Sequence, residues 1–363
     1  MSRDDSAPPA IDLDRPETYA AVDRAGMLGH VQALAAQVAD AWRLTAAFDA
    51  PARYQEAAAI VVAGMGGSAI GADLVRALVS DTLAVPLVVW RDYGLPAWVD
   101  ARTLVIASSY SGGTEETLSS VKRALAVGAP VLGITTGGAL ADLLTEAGAP
   151  VLRFAYTAQP RAALGYSLGL VLGLLARLGY LPDQALAVAA ATDALREAAD
   201  QLGPAVPTAF NGAKQLARTL HGRVAVIYGG GFLAPVARRW KGQLNENAKN
   251  WAFFEELPEL DHNAVMGYCY PAGGAGPHVV QLHSALLPPR LTLRAEVTAE
   301  LLARYGIPYT TVVAWGDGLL AQLLTAVAYG DWVSYYLALL NGIDPTEIGA
   351  IDQLKARLGE ADR

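Results

Sequence analysis

Apolar positions recur at helical spacing near the start of the chain, and beyond residue 57 the pattern shifts to short runs. Leu28, Val31, Leu34, Ala35, Val38 and Trp42 fall on one face, which predicts an amphipathic helix from Leu28 to Trp42 packed across the body of the protein. Then β-branched runs alternate with helical stretches: Ala59 to Ala63, then Ser68 to Val79; Leu87 to Trp90; Thr103 to Ser108, then Glu115 to Ala126; Val131 to Thr135. Strands alternating with helices predict a parallel sheet. The most apolar stretch, Ala162 to Ala176, is bracketed by Arg161 and Arg177. It is shorter than the ~20 residues of a membrane helix and predicts a buried core helix.

After the Ala-rich stretch from Gln184 to Ala199, Leu202-Gly203-Pro204 and Pro207 punctuate the chain, and the pattern restarts. Val224 to Tyr228 runs into Gly229-Gly230-Gly231 and a helix from about Pro235, repeating the strand, glycine turn and helix of Ile60 to Val79. Val279 to Leu282 and Tyr309 to Ala314 are further candidate strands, and Leu319 to Leu340 is a long apolar helix. Asp344-Pro345-Thr346-Glu347 has an N-cap acid, proline at the first helical position and an acid three residues after the cap. This predicts a last short amphipathic helix, carrying Lys355. The expected division is an N-terminal arm and helix (1–52), a first α/β domain (53–200), a second (201–343) and a C-terminal helix (344–363).

Composition narrows the function. The chain has 363 residues, 53% of them hydrophobic and 17% charged, enough for two domains with large buried cores. A net charge of −8 with no Lys/Arg block argues against binding nucleic acid or an anionic membrane, so an anionic ligand must be held by local donors. Cys269 is the only cysteine, which excludes an internal disulfide or a cysteine-rich metal site and points to a reducing cytoplasm. Met1 to Pro16 mixes acids with prolines and lacks the order of a secretory signal; it reads as a solvated arm.

Two glycine-rich stretches fall between a strand and a helix: Gly64-Met65-Gly66-Gly67-Ser68-Ala69-Ile70-Gly71, and Ser108-Ser109-Tyr110-Ser111-Gly112-Gly113-Thr114-Glu115-Glu116-Thr117. Such turns seat phosphate: glycine lets the backbone approach, hydroxyls donate, and the helix start adds exposed amides. A dinucleotide fingerprint would need glycine where Ala69 stands. Ser68 alone could be an N-cap. Ser109, Ser111 and Thr114 supply more donors than one cap requires, although a serine-rich turn capped by Thr114 is the plainer alternative.

Asn245-Glu246-Asn247-Ala248-Lys249-Asn250 lies on a helix whose apolar stripe runs through Val236, Trp240, Leu244, Ala248 and Trp251. Glu246 falls about 200° from Leu244, with only Gly242 one turn back and amides on both sides, a fitting seat for a general base. A solvent-facing Glu246 paired with Lys249 at i+3 is the alternative. The acidic run from Glu255 to Asn263 contains His262, a side chain able to move protons. It matches no metal-ligand spacing and can equally be a solvated loop. Arg161 and Lys355 are cations able to stabilise developing negative charge. His30, His221, His278 and His283 are scattered singly and read as structural.

Taken together, the glycine loop, the Ser-Tyr-Ser-Gly loop, Asn245-Glu246-Asn247, Glu259-Leu260-Asp261-His262-Asn263 and Leu354-Lys355 resemble, in order and spacing, the bifunctional phosphoglucose/phosphomannose isomerases. The likeness runs from about Ala57 to Leu358. It implies an α/β protein of two doubly wound parallel-sheet sugar isomerase (SIS, flavodoxin-like) domains with flanking helices. It further implies that Gly67, Ser68, Ser109, Ser111 and Thr114 hold a sugar phosphate, that Glu246 is the base, that His262 and Lys355 assist ring opening, and that Arg161 stabilises the enediolate. A homodimer whose active site borrows His262 from the neighbouring subunit is implied too. Moving a carbonyl between C1 and C2 needs one carboxylate to carry one proton, so neither a redox cofactor nor a metal is expected.

Two positions depart from the family pattern: Gly113 replaces an asparagine, and Ala248-Lys249 replaces serine-lysine. The first removes a side-chain donor from the phosphate loop. Two other readings remain open at this level. One is a non-catalytic sugar-phosphate-binding regulatory protein. The other is a nucleotide-dependent oxidoreductase using Asp92 to hold a ribose, which the hydroxyl-rich second loop fits poorly.

Overall fold

The computed structural model describes residues 11–49, 51–269 and 276–361, except the side chains of 355 and 359–361. The predicted opening helix is two helices, α1 (Met27–Gln32) and α2 (Leu34–Ala46), which divide at Ala33. The first sheet follows: β1 (Ala59–Ala63), α3 (Gly66–Leu78), β2 (Leu87–Trp90), β3 (Thr103–Ser108), α4 (Glu115–Ala126), β4 (Val131–Thr135), α5 (Gly138–Glu146) and β5 (Val151–Arg153). All its pairings are parallel, in the order β2-β1-β3-β4-β5. Helices cover both faces, so β3 and β4 are buried at every residue and read as unbroken apolar runs.

Helices α6 (Leu164–Arg177), α7 (Ala185–Leu202) and α8 (Gly212–Leu220) lead to the second sheet. It comprises β6 (Ala225–Gly230), α9 (Ala234–Glu246), β7 (Ala252–Leu257), β8 (His278–His283), α10 (Pro289–Arg304) and β9 (Tyr309–Val313). Its pairings are again parallel, in the order β7-β6-β8-β9. The chain ends through α11 (Leu319–Leu340) and α12 (Gly349–Ala361).

One apolar core joins the two halves, running from Leu13 through α2, α6 and α7 to α11 and taking in residues of both sheets. The expected buried helix at Ala162–Ala176 is α6, buried at every residue from Leu164 to Leu175. Its glycines at 165, 169 and 173 line the face toward α2; a Cβ on them would lie 2.4 Å from Gln37 Cβ, 2.7 Å from Ala41 Cβ and 2.2 Å from Thr45 Oγ1. The two helix backbones therefore approach more closely than any side chain allows. α11 is long and apolar enough to cross a membrane, yet 89% of its most apolar window is buried inside the protein, against α7, α8 and α9.

Three further expectations need correction. Trp251 does not extend the α9 stripe: the helix ends at Glu246, and Trp251 is 72% exposed at the entry to β7. Glu255 and Glu256 lie on β7, an edge strand whose outward positions accept acids, rather than in a loop. Asp344-Pro345 does not start the last helix, which begins at Gly349; Asp344 Oδ1 instead accepts the Thr346 amide at 2.9 Å, turning the segment's carbonyls toward the site described next.

Candidate active site

Strand order reverses between β1 and β3, and ligand crevices of open α/β sheets form beyond the strand ends at such a switch point. Both glycine-rich loops lie there. Neither α3 nor α4 has a side-chain cap, which leaves the first amides of each helix without a side-chain acceptor. Ser68 is therefore not the N-cap; it sits inside α3, and its Oγ accepts the Tyr110 amide at 3.1 Å, tying the first loop to the second. Thr114 occupies the N-cap position of α4 but turns its hydroxyl to Ser109 Oγ at 2.9 Å. Ser109 is buried and also accepts the Gly112 amide at 3.1 Å, whereas Ser111 is exposed and accepts the Gly113 amide at 3.3 Å. Gly112 has φ +70°, and a Cβ there would meet Gly137 O at 1.9 Å, so the turn requires glycine.

Across the first loop runs the short turn Pro160–Ala163 that bears Arg161. It approaches so closely that a Cβ on Gly67 would stand 2.7 Å from Pro160 O. Arg161 is only 3% exposed. Its Nε donates to Asn247 Oδ1 at 2.7 Å, its Nη2 to Pro345 O at 2.7 Å and Thr346 O at 3.2 Å, and its Nη1 to Glu246 Oε2 at 3.4 Å. Burial pulls this guanidinium below its ordinary range, with Glu246 opposing.

Glu246, the last residue of α9, opens onto a cleft of about 310 Å³ shared with Gly67 and Gly242. Five cations line it, Arg91, Arg161, Arg238, Arg239 and Lys241, against the single carboxylate of Glu246. Behind the lining, Arg91 and Arg238 pair with Asp73 and Arg239 with Asp331, so the positive charge of the cleft is partly compensated and its excess is carried by Arg161 and Lys241. Gly242 has nothing within 4 Å of the Cβ it lacks, so the carboxylate stays uncovered as expected. The flanking amides, however, do not orient Glu246. Asn247 holds Arg161 and Ser334, and Asn245 donates to Asn250 O at 2.9 Å. Nor does Lys249 pair with Glu246: its Nζ donates to Asp344 O at 2.8 Å and Pro345 O at 3.3 Å, and burial pulls it down to about 8.

The structure thus brings Glu246, Arg161 and Gly67 together around one cleft, with Ser68 next to Gly67 and bonded to the second loop. Ser109, Ser111 and Thr114 gather within that loop and are not among the cleft-lining residues. His262 is exposed on the turn Glu259–His262 and does not line the cleft; its neighbour Asp261 is held by Arg294 at 2.8 Å and Thr298 at 3.0 Å. Lys355 lies on α12, and its side chain is outside the described residues.

Sequence reasoning missed Arg239 and Asp331. Arg239 Nη2 donates to both Asp331 oxygens, at 3.0 and 2.9 Å, and to the Arg161 carbonyl at 3.1 Å. Burial raises the Asp331 carboxyl above the usual range, and the Arg239 guanidinium opposes that shift. The signal was available: Asp331 is the one charged residue of α11, and a buried acid in an apolar helix demands a partner.

Two doubly wound parallel sheets flanked by helices define an α/β protein of the sugar isomerase (SIS) class. A solved hypothetical protein from Thermus thermophilus superimposes with a TM-score of 0.75 at 18% identity, covering 96% of this chain and 93% of that one. Residues 210–358 match the bacterial phospho-glucose isomerase C-terminal SIS domain family. Along most of its length the chain is 38% identical to the bifunctional phosphoglucose/phosphomannose isomerase of Caldicellulosiruptor bescii, covering 92% of this chain and 99% of that protein. It is 35% identical to the enzyme of the same name from Aquifex aeolicus, covering 82% and 90%. The chain belongs to the bifunctional phosphoglucose/phosphomannose isomerase family.

Proposed function

We propose that the protein is an aldose–ketose isomerase that interconverts glucose 6-phosphate, mannose 6-phosphate or both with fructose 6-phosphate by a cis-enediol proton transfer. The observation that carries this reading is the Glu246 carboxylate at 3.4 Å from the buried Arg161 guanidinium, in a cleft lined by cations. Gly67, Ser68, Ser109, Ser111 and Thr114 hold the phosphate at the uncapped starts of α3 and α4. Glu246 removes the proton from C2 of the aldose and returns it to C1, while Arg161 Nη1 steadies the enediolate oxygen. Lys355 of the same chain and His262 of the partner subunit assist ring opening. The proton moves between neighbouring carbons with no net oxidation, so the chemistry needs neither a redox cofactor nor a metal. The absent side chain at Gly113 removes one phosphate donor from the second loop.

A homodimer accounts for His262: it is exposed, and its loop continues into Met266, 80% exposed, in a half that also presents Leu293 and Val297 to solvent. The same reading makes residues 53–200 the phosphate-binding domain and 201–343 the domain of the base, preceded by the arm and helix of 1–52 and followed by the helix of 344–363. It places the enzyme in the cytoplasm, acting on a small sugar phosphate without nucleic acid or membrane partners. Incubating the purified protein with fructose 6-phosphate, with and without chelator, tests it. Both or either aldose 6-phosphate should form at equal rates in the two arms. Absence of both products refutes isomerisation.

A further inference from the structure

Nineteen of the 22 residues of α11 are buried, and two of its buried polar side chains, Asp331 at 6% and Ser334 at 0% exposure, stand one turn apart. Each reaches Arg161 through one intermediary. Asp331 fixes Arg239 Nη2, which donates to the Arg161 carbonyl at 3.1 Å. Ser334 Oγ accepts from Asn247 Nδ2 at 3.0 Å, and Asn247 Oδ1 in turn accepts Arg161 Nε at 2.7 Å. Beyond the end of the same helix, the carbonyls of Pro345 and Thr346 take Nη2. Arg161 is gripped at its backbone, at Nε and at Nη2, and only Nη1 is left toward Glu246. A buried ion pair is no more stabilising than packed apolar side chains of the same volume, so core stability alone does not call for Asp331 and Arg239.

We propose that Asp331 and Ser334 are positioning residues that set the Arg161 guanidinium against Glu246, acting through Arg239 and Asn247. This rests on the reading that Glu246 and Arg161 work on the substrate. Neither α11 residue lines the cleft beside Glu246; their influence passes through the arginine.

The test is a double-mutant cycle with fructose 6-phosphate. Ser334→Ala, the milder variant, lowers kcat about tenfold in the wild-type background and changes KM less than about twofold, because the guanidinium loses its alignment and not its charge. In an Arg161→Lys background, where no Nε–H remains for Asn247 to hold, Ser334→Ala costs nothing further. An equal loss in both backgrounds overturns the inference and makes Ser334 a packing residue. Asp331→Asn acts through the main-chain carbonyl of residue 161, which lysine also has, so it is read by its kinetic split: kcat falls with KM within about twofold, and a change in KM alone overturns its part. A second readout needs no turnover: the Arg161 Nε–H resonance, assigned by its absence in Arg161→Lys, exchanges slowly with solvent in the wild type and at least about tenfold faster in Ser334→Ala. Unchanged exchange overturns the inference. If the wild type does not turn over fructose 6-phosphate, the proposed function fails while the exchange measurement still decides the positioning.

Discussion

The two sheets share the order of four parallel strands but differ at the point where that order reverses. In the first, the loops after β1 and β3 carry glycines and hydroxyls. In the second, the glycine turn after β6 is stopped with leucines: a Cβ on Gly230 would lie 3.0 Å from both Leu257 Cβ and Leu291 Cδ2, and one on Gly231 3.3 Å from Leu287 and Leu291. Repeating a fold therefore did not repeat a site. The first half offers the start of its helix α3, with Gly66 and Gly67 on the cleft, and the second offers the end of α9, with Glu246 facing them.

That contrast can be broken or sharpened by substitution. Glu246→Gln should lower kcat by about 10³-fold while fructose 6-phosphate still binds within about threefold in calorimetry. Substantial residual turnover would move the base elsewhere. Gly67→Ala should cost about 10²-fold in kcat/KM, because the new methyl displaces the Pro160–Arg161 turn. A variant with unchanged kinetics would show that the close approach is not needed for the site.

Ser111→Ala should raise KM for fructose 6-phosphate about tenfold and leave kcat within about twofold, one charge-assisted hydrogen bond having been lost. Equal losses in kcat and kcat/KM would place this hydroxyl at the reacting end of the sugar instead. Leu291→Ala, in the plugged crevice, should leave both kinetic constants unchanged and cost about 1–2 kcal/mol in urea unfolding. A kinetic effect there would mean that the second crevice takes part after all.

How much of this could be read from the sequence depended on burial. Strands β1, β3 and β4 match their expected bounds because a strand covered on both faces must be apolar throughout, and the edge strand β2 matches because Leu87–Trp90 is apolar although half-buried. β7 escaped because an edge strand tolerates exposed Phe253 and Glu256 and half-buried Glu255, and the three-residue β5 was too short to leave a pattern. The break at Ala33 carries no glycine or proline to announce it. Within the site, the open Gly242 marked Glu246. The Arg239–Asp331 pair was out of reach of any spacing rule, since its members stand 92 positions apart and meet only through the fold.

One late feature governs when the site can exist at all. The carbonyls of Pro345 and Thr346 hold Arg161 from nearly two hundred positions downstream. During synthesis, the glycine loops, Glu246 and Arg161 all leave the ribosome before the segment that completes the arginine's cage. A polypeptide cut short ahead of Pro345, by premature termination or by a protease, would keep both sheets and lose that grip, so full-length translation is itself a condition for an assembled arginine.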